Sequence, residues 1–480
     1  MVSKNRLILS LFCLTIVFIY ISCEQKTEQG KSPNIILIMC DDLGWGDTGF
    51  NGNKVIKTPN LDKLAGKGIT FTRFYSASAV CSPTRGSCLT GRNPYRYGIP
   101  TANAGHMKPE EITLPELLKE NGYETGHFGK WHLGTLTTRV KDANRGKPGD
   151  STHYSIPTQN GYDTYFVTES KVPTYDPLIK PATFATDKGE SLRYGWKAVE
   201  DKSTAQNYGT HYWKCIELSE KENMYGDDSK VIMDRAIPFI ETAVNNENPF
   251  FSVVWFHTPH LPVVANKEMM EAYGQYSHQE QIYYAAISAM DAQVGRLWNK
   301  LEELGESENT MIWFCSDNGP EIRTPGSSGP YRERKRSLYE GGVRVPAFCV
   351  WPNNLERGTK SDFPCFTSDY LPTILDILQI SYPDSRPLDG ISLKDLLKGK
   401  DDDRETPMGF QFRGKMSWVT QEYKLISTDE GQTFELYNLL QDKSETQNII
   451  DKKPEMAAKM KDELLTWVES CKRSNEGADY

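Results

Sequence analysis

The chain has 480 residues with a formal net charge of −9; 38% of residues are hydrophobic and 25% charged. That composition excludes a disordered chain and suits one large α/β domain with a smaller companion. The acidic balance argues against a general nucleic-acid role, and an anionic substrate would need a local basic pocket.

Residues 1–22 stand apart. Lys4 and Arg6 precede an almost wholly apolar run over 7–21, followed by Cys23 and a polar stretch. This pattern is an export signal and carries no information about the fold. The run is shorter than the ~20 residues that cross a bilayer. Ile21-Ser22-Cys23 resembles a lipobox, with Tyr20 standing where that pattern usually has Leu or Val. Cys23 is therefore expected to carry lipid, with residues 23–32 as a polar tether. The expected location is the periplasm or the outer membrane of a bacterium, with membrane contact only through that lipid.

From residue 33 onward, short apolar runs alternate with helical patterns. Asn34–Cys40 and residues 250–256, 311–315 and 345–351 read as strands buried on both faces. Residues 114–120, 229–244, 279–304 and 368–378 read as helices. The alternation predicts an α/β fold over 33–386, a large mostly parallel or mixed sheet between helices. Ligands of such sheets sit at the carboxyl ends of the strands. Residues 140–228 show little periodicity and read as long loops over the sheet edge. Residues 387–480 read as a smaller α+β subdomain, with antiparallel strands at 416–420, 423–427 and 432–436 and an amphipathic helix over 454–472.

Asp41-Asp42 directly follow the first strand, and Asp317-Asn318 follow a later one. Adjacent carboxylates repel unless a cation or donors lie between them. If both strands are central, four oxygen ligands converge, a donor set that suits Ca²⁺ or Mg²⁺. The ten cysteines lack zinc-knuckle spacing; Cys40, Cys315 and Cys349 lie in apolar runs and are expected to be buried. Cys81-Ser82-Pro83-Thr84-Arg85 reads as a thiol at a helix start, where Pro83 is tolerated and Arg85 adds a fixed charge. A capped helix with an inert thiol and an unmodified nucleophilic thiol remain alternatives at this point.

The run from Cys81 to Arg85, continued by Leu89-Thr90-Gly91-Arg92, closely resembles the signature of the type I sulfatases, in the alkaline phosphatase superfamily. Gly122-Tyr123-Glu124-Thr125-Gly126 through Lys130-Trp131-His132 is similar to that family's second signature. The resemblance implies a sulfuric ester hydrolase in which a sulfatase-maturing enzyme oxidises Cys81 to formylglycine, whose hydrate is the nucleophile. It implies metal ligation, usually of Ca²⁺, by Asp41, Asp42, Asp317, Asn318 and the modified Cys81. It assigns Arg85, Lys130, His132, His260 and Lys335 to catalysis. The family also places a polar residue, often Ser, in the central loops, and the loop around Ser170 leaves it unassigned.

Residues 168–177 and His211 look like substrate-loop sequence of bacterial carbohydrate sulfatases. This adds Asp176, His211 and His257 as substrate-binding candidates. It points to O-sulfate on a glycan of galactose or N-acetylgalactosamine type. Two rival readings stand beside it: a phosphodiesterase or phosphonate hydrolase of the same superfamily, and a glycan-binding lipoprotein without activity.

Overall fold

The computed structural model describes residues 31–400 and 403–480. The expected signal and Cys23 lie outside the described residues. One sheet contains β1 (Asn34–Cys40), β2 (Ile69–Tyr75), β3 (Glu124–Lys130), β4 (Thr164–Thr168), β5 (Tyr212–Cys215) and β6 (Leu218–Glu220). It also contains β7 (Phe250–Trp255), β8 (Thr310–Ser316), β9 (Arg344–Val350), β10 (Thr359–Ser361) and β11 (Cys365–Phe366). The order is β10-β2-β9-β8-β1-β7-β3-β4-β5-β6, with β11 also on β2. Strands β8, β1, β7, β3 and β4 run parallel. β9 is antiparallel between β8 and β2, and β5 is antiparallel on β4, so the sheet is mixed.

Helices cover both faces, because every residue of β1 is buried. Ile36, Ile38 and Cys40 pack with the helices Asp228–Asn245 and His278–Glu303. Ile35, Leu37 and Met39 pack with Cys81–Thr90, Leu114–Glu120 and Tyr370–Leu378. A strand buried on both sides needs no polar alternation, which is why its sequence is continuously apolar.

Strands β2, β3 and β4 escaped the sequence reading for the opposite reason. β3 is Glu-Thr-Gly-His-Phe-Gly-Lys, yet six of its seven residues are buried. His127 sits among the edges of Trp131, Tyr162 and Trp255. Gly129 has φ +104°, and a Cβ there would lie 2.0 Å from the Trp255 carbonyl oxygen. Tertiary contact, not apolarity, makes this segment a strand. β4, β5 and β6 likewise place sheet within residues 140–228, which the sequence reading had as loops.

The smaller C-terminal sheet is β12 (Met408–Phe412), β13 (Lys415–Val419), β14 (Tyr423–Ser427) and β15 (Glu435–Asn438), all antiparallel. The last strand starts later than expected, because Asp429 holds Thr433 N–H and Oγ1 in a turn. One face packs Leu425, Leu436 and Trp418 on the helix Pro454–Arg473. The other packs Phe410, Ile426 and Tyr437 on Tyr75 and Phe366 of the large sheet. Leu393 and Leu397, beyond residue 387, belong to the large core. Among the described residues the cysteines are free thiols, with Cys40, Cys315 and Cys349 buried. No described helix is long and apolar enough to cross a membrane.

Candidate active site

Cys40 and Ser316 are register partners at the ends of β1 and β8, so Asp41-Asp42 and Asp317-Asn318 leave the sheet side by side. The two turns are tied together. Asp317 N–H donates to the Cys40 carbonyl at 3.1 Å, and Asp42 N–H donates to Asp317 Oδ1 at 3.1 Å. Gly319 then lets the chain press against the loop bearing Gly341; a Cβ there would lie 1.9 Å from the Gly341 carbonyl oxygen. That approach brings the Lys335 loop over Asp42.

Cys81 is the first residue of a helix whose ten residues are all buried. One ligand atom each from Asp41, Cys81 and Asp317 lie within 4.8 Å of one another, and the same holds for Asp41, Asp42 and His260. Cations surround this group. Lys130 Nζ donates to Asp41 Oδ2 at 2.6 Å, and Lys335 Nζ donates to Asp42 Oδ1. Arg85 Nη2 donates to Asp317 Oδ2 at 2.6 Å and lies 3.8 Å from Asp41 Oδ1. His260 Nε2 stands 3.6 Å from Asp42 Oδ2.

These contacts pull the carboxyl groups apart electrostatically. Burial opposes ionisation of Asp41, but Lys130, then His260, Arg85 and Lys335 outweigh it and hold this carboxyl well below its usual range. Burial, reinforced by the neighbouring Asp41, pushes Asp317 up to about 7. Burial likewise pushes His260 down to about 3, against the pull of Asp41 and Asp42. His132 is driven well below its usual value, first by burial and then by Lys130, Arg145 and Arg85.

Three buried oxygens in the cluster have no hydrogen-bond partner: Asp41 Oδ1, Asp42 Oδ2 and Asn318 Oδ1. Buried acceptors are normally satisfied. Orphaned carboxylate and amide oxygens converging at two strand ends fit a hard divalent cation.

The cluster opens into a cavity of about 200 Å³ lined by Cys81, Lys130, His132, His260 and Lys335. Asn103, Asn144, Ser170, Lys171, Tyr194, Glu321, Arg323 and Arg413 complete its wall. Each of the parallel strands contributes near its carboxyl end. Lys130 closes β3, Ser170 follows β4, and His260 follows β7.

The three expected substrate residues are not gathered there. His257 is fully buried between Asp228 Oδ2 at 2.8 Å and Thr168 Oγ1 at 2.7 Å, and it does not line the catalytic cavity. Asp176 is ion-paired to Lys202 and accepts Gly226 N–H at 2.9 Å, so its carboxylate is already engaged. His211 lines an adjoining hollow, its Nδ1 3.1 Å from Asp142 Oδ1. Sequence reasoning placed Lys171 within the substrate-loop stretch 168–177 without singling it out, and missed Asn144 and Arg413 as wall residues and the buried Arg145, whose Nη2 donates to Ser82 Oγ at 3.3 Å. These come from aperiodic loops and a hairpin tip, where no local signal marks them. Ser170, left unassigned from sequence, lies in the wall and accepts from Asn144 Nδ2 at 2.9 Å.

An acidic pair at adjacent strand ends, a helix start and a ring of cations around one small cavity define a hydrolase of anionic esters. Comparison with known proteins sharpens the class. The family model described as Sulfatase matches residues 33–380, and that described as N-sulphoglucosamine sulphohydrolase, C-terminal, matches residues 331–470. The chain belongs to the sulfatase family and is a sulfuric ester hydrolase. It is 31% identical to the steryl-sulfatase of Homo sapiens, over 78% of this chain and 71% of that one. It is 32% identical to the N-acetylgalactosamine-6-sulfatase of Mus musculus, over 82% of this chain and 72% of that one. The crystal structure of Ps i-CgsB in complex with k-i-k-neocarrahexaose superposes with a TM-score of 0.77 at 27% identity, covering 92% of this chain and 94% of that one.

Proposed function

We propose that the chain removes O-sulfate from a glycan of galactose or N-acetylgalactosamine type, with Cys81 oxidised to formylglycine and a Ca²⁺ or Mg²⁺ ion at Asp41, Asp42, Asp317 and Asn318. The observation that carries the glycan reading is the cavity wall. Asn103, Asn144, Ser170, Lys171, Glu321 and Arg323 offer hydrogen bonds and charge to a polar ring. A sterol would need a broad apolar surface instead. The likeness to the N-acetylgalactosamine sulfatase and to the structure in complex with a neocarrahexaose supports the same choice.

The formylglycine hydrate supplies the nucleophilic hydroxyl at position 81, and the cation supplies Lewis-acid stabilisation. Everything else falls to this chain's own side chains. Arg85 and Lys130 fix the ionised Asp41 and the neighbouring Asp317, holding the oxygen ligands against their mutual repulsion. Asp317 stands beside position 81, where its carboxylate is placed to take up the proton of the attacking hydroxyl. Lys130 and Lys335 place positive charge against the equatorial oxygens of the sulfate. Lys335, with His260 beside it in the cavity wall, delivers a proton to the departing sugar oxygen. His132 has no partner on either ring nitrogen and serves as the base for release. Loss of one such group costs a factor of ~10² to 10⁴.

We infer export as well: the charged start with Lys4 and Arg6, the apolar run over 7–21 and Cys23 support a lipidated, extracytoplasmic enzyme. The test of function is a panel of defined sulfated mono- and disaccharides beside an aryl phosphodiester, using protein whose Cys81 oxidation is confirmed by mass spectrometry. Desulfation of the galactose or N-acetylgalactosamine members is expected. Turnover of the phosphodiester alone overturns the reading.

A further inference from the structure

The catalytic cavity does not end at its own wall. A second hollow of about 460 Å³ adjoins it, within the ~300–1,000 Å³ typical of ligand sites. The two share Asn144, Ser170 and Lys171, and the second is completed by residues that include Lys141, Tyr208 and His211.

The cations around these spaces differ in how they are paired. Lys130 faces Asp41, and Lys335 faces Asp42. Arg323 and Arg336 lie 2.8 and 2.6 Å from Glu321. Lys171 breaks the pattern. It is half-buried, and among the described residues it makes no ion pair and no hydrogen bond; its ammonium lies 5.3 Å from the Tyr194 ring. Burial, then Lys130 and Lys335, depress its basicity. The fold thus places at the boundary between the two hollows an ammonium that no carboxylate pairs among the described residues. Lys141, on the far wall of the second hollow, also lacks an ion pair among the described residues. The adjoining acid in sequence, Asp142, is fully buried and already engaged by His211 and Trp213.

We propose that the second hollow holds the sugar next to the one being desulfated, and that this sugar bears an anionic group, a carboxylate or a second sulfate, gripped by Lys171 with Lys141 behind it. An unmatched cation in a partly dry wall is stabilised by an arriving anion and rejects a neutral isostere only weakly. This rests on the sulfated-glycan reading and adds to it that the substrate is at least a disaccharide with two anionic groups. Asn144 and Ser170, on the shared wall, offer hydrogen bonds to the linkage between the sugars.

The test uses the full chain with oxidised Cys81 and three disaccharides that share one cleavable sulfated sugar. Their neighbouring sugars are neutral, uronate or sulfated. Wild-type protein is expected to prefer an anionic neighbour, and the uronate and sulfate arms report which anion is read. K171Q should lower kcat/KM on the preferred anionic substrate about tenfold more than on the neutral one, mainly through KM, and K171R should restore part of the preference. K141Q should show the same sign with a smaller change. Equal losses on all three substrates from K171Q overturn the proposal, because Lys171 would then act on the sulfate common to them. A shift of preference in R413Q instead of K171Q also overturns it, placing the neighbouring sugar across the opposite wall. If wild type desulfates an aryl sulfate but none of the disaccharides, the glycan reading itself fails, and this proposal with it.

Discussion

Two buried charge clusters in this molecule look alike in composition and differ in what they leave unpaired. At the junction of the two sheets, Lys424 Nζ lies 3.1 Å from Glu340 Oε1 and 3.0 Å from Glu445 Oε1. The second of these contacts is charge–charge only, since Glu445 Oε1 accepts no hydrogen bond. Arg344 and the Tyr75 hydroxyl reach Glu340 Oε2 at 3.1 and 2.9 Å, and Glu445 Oε2 accepts Glu340 N–H at 2.6 Å. Glu340, Lys424 and Glu445 do not line the catalytic cavity. The cluster at the ends of β1 and β8 is as deeply buried, yet it leaves three oxygens orphaned and opens onto a cavity. A buried network whose charges are matched holds elements together; one with converging unpartnered oxygens fits a cation among them.

That contrast predicts a separation of activity from stability. The largest effect belongs to the open cluster: Cys81→Ala should lower turnover by at least ~10⁴-fold while circular dichroism and melting temperature stay as in wild type. Retained activity would remove position 81 from the chemistry. Next comes the closed cluster. Lys424→Met should destabilise the fold by about 3–5 kcal/mol in denaturant titration, because two carboxylates lose their buried counter-charge. The protein that remains folded should keep its kcat. A large fall in kcat without loss of stability would erase the distinction between the clusters.

Asp317→Asn should lower kcat by ~10²–10³-fold in the protein that remains folded, since a carboxylate beside position 81 is lost. Thorough removal of divalent cations should act in the same direction, and full activity after chelation would count against the oxygen cluster as a metal site. The smallest effect is a pH dependence. Burial, reinforced by Glu340 and only partly offset by Lys424, pushes Glu445 up to about 7 from 4.5. A carboxyl raised in the folded state binds its proton more tightly there than in the unfolded chain. Its contribution to stability is therefore full below about pH 4.5 and is lost as the pH rises toward 7. Glu445→Gln should flatten the melting temperature across that window; an unchanged slope would place the proton elsewhere in the network.

How much of this was legible beforehand depended on whether a residue's role is local. β1, β8 and the Leu114–Glu120 helix were readable because burial on two faces, or on one helical stripe, writes a period into the chain. The Cys81 and Lys130 motifs were readable because several side chains act within a few residues of one another. β3 was readable as a motif and not as a strand, since its glycines answer to Trp255 and the residues packed beside it. The surroundings of His257 were not legible in the sequence, because its nearness to His260 along the chain does not reveal that Asp228 and Thr168 enclose it.

Sequence alone determined the strands buried on both faces, the amphipathic helices, the pairing of acids with strand ends and the cysteine motif at a helix start, because each is a short-range pattern. Tertiary structure decided that Cys40 and Ser316 are neighbours, that a lysine from the loop beyond β8 settles on Asp42, and that Lys171 is left without a counter-charge. Those facts depend on which distant segments share space, and the order of residues along one chain does not encode distance between its folds in any local pattern.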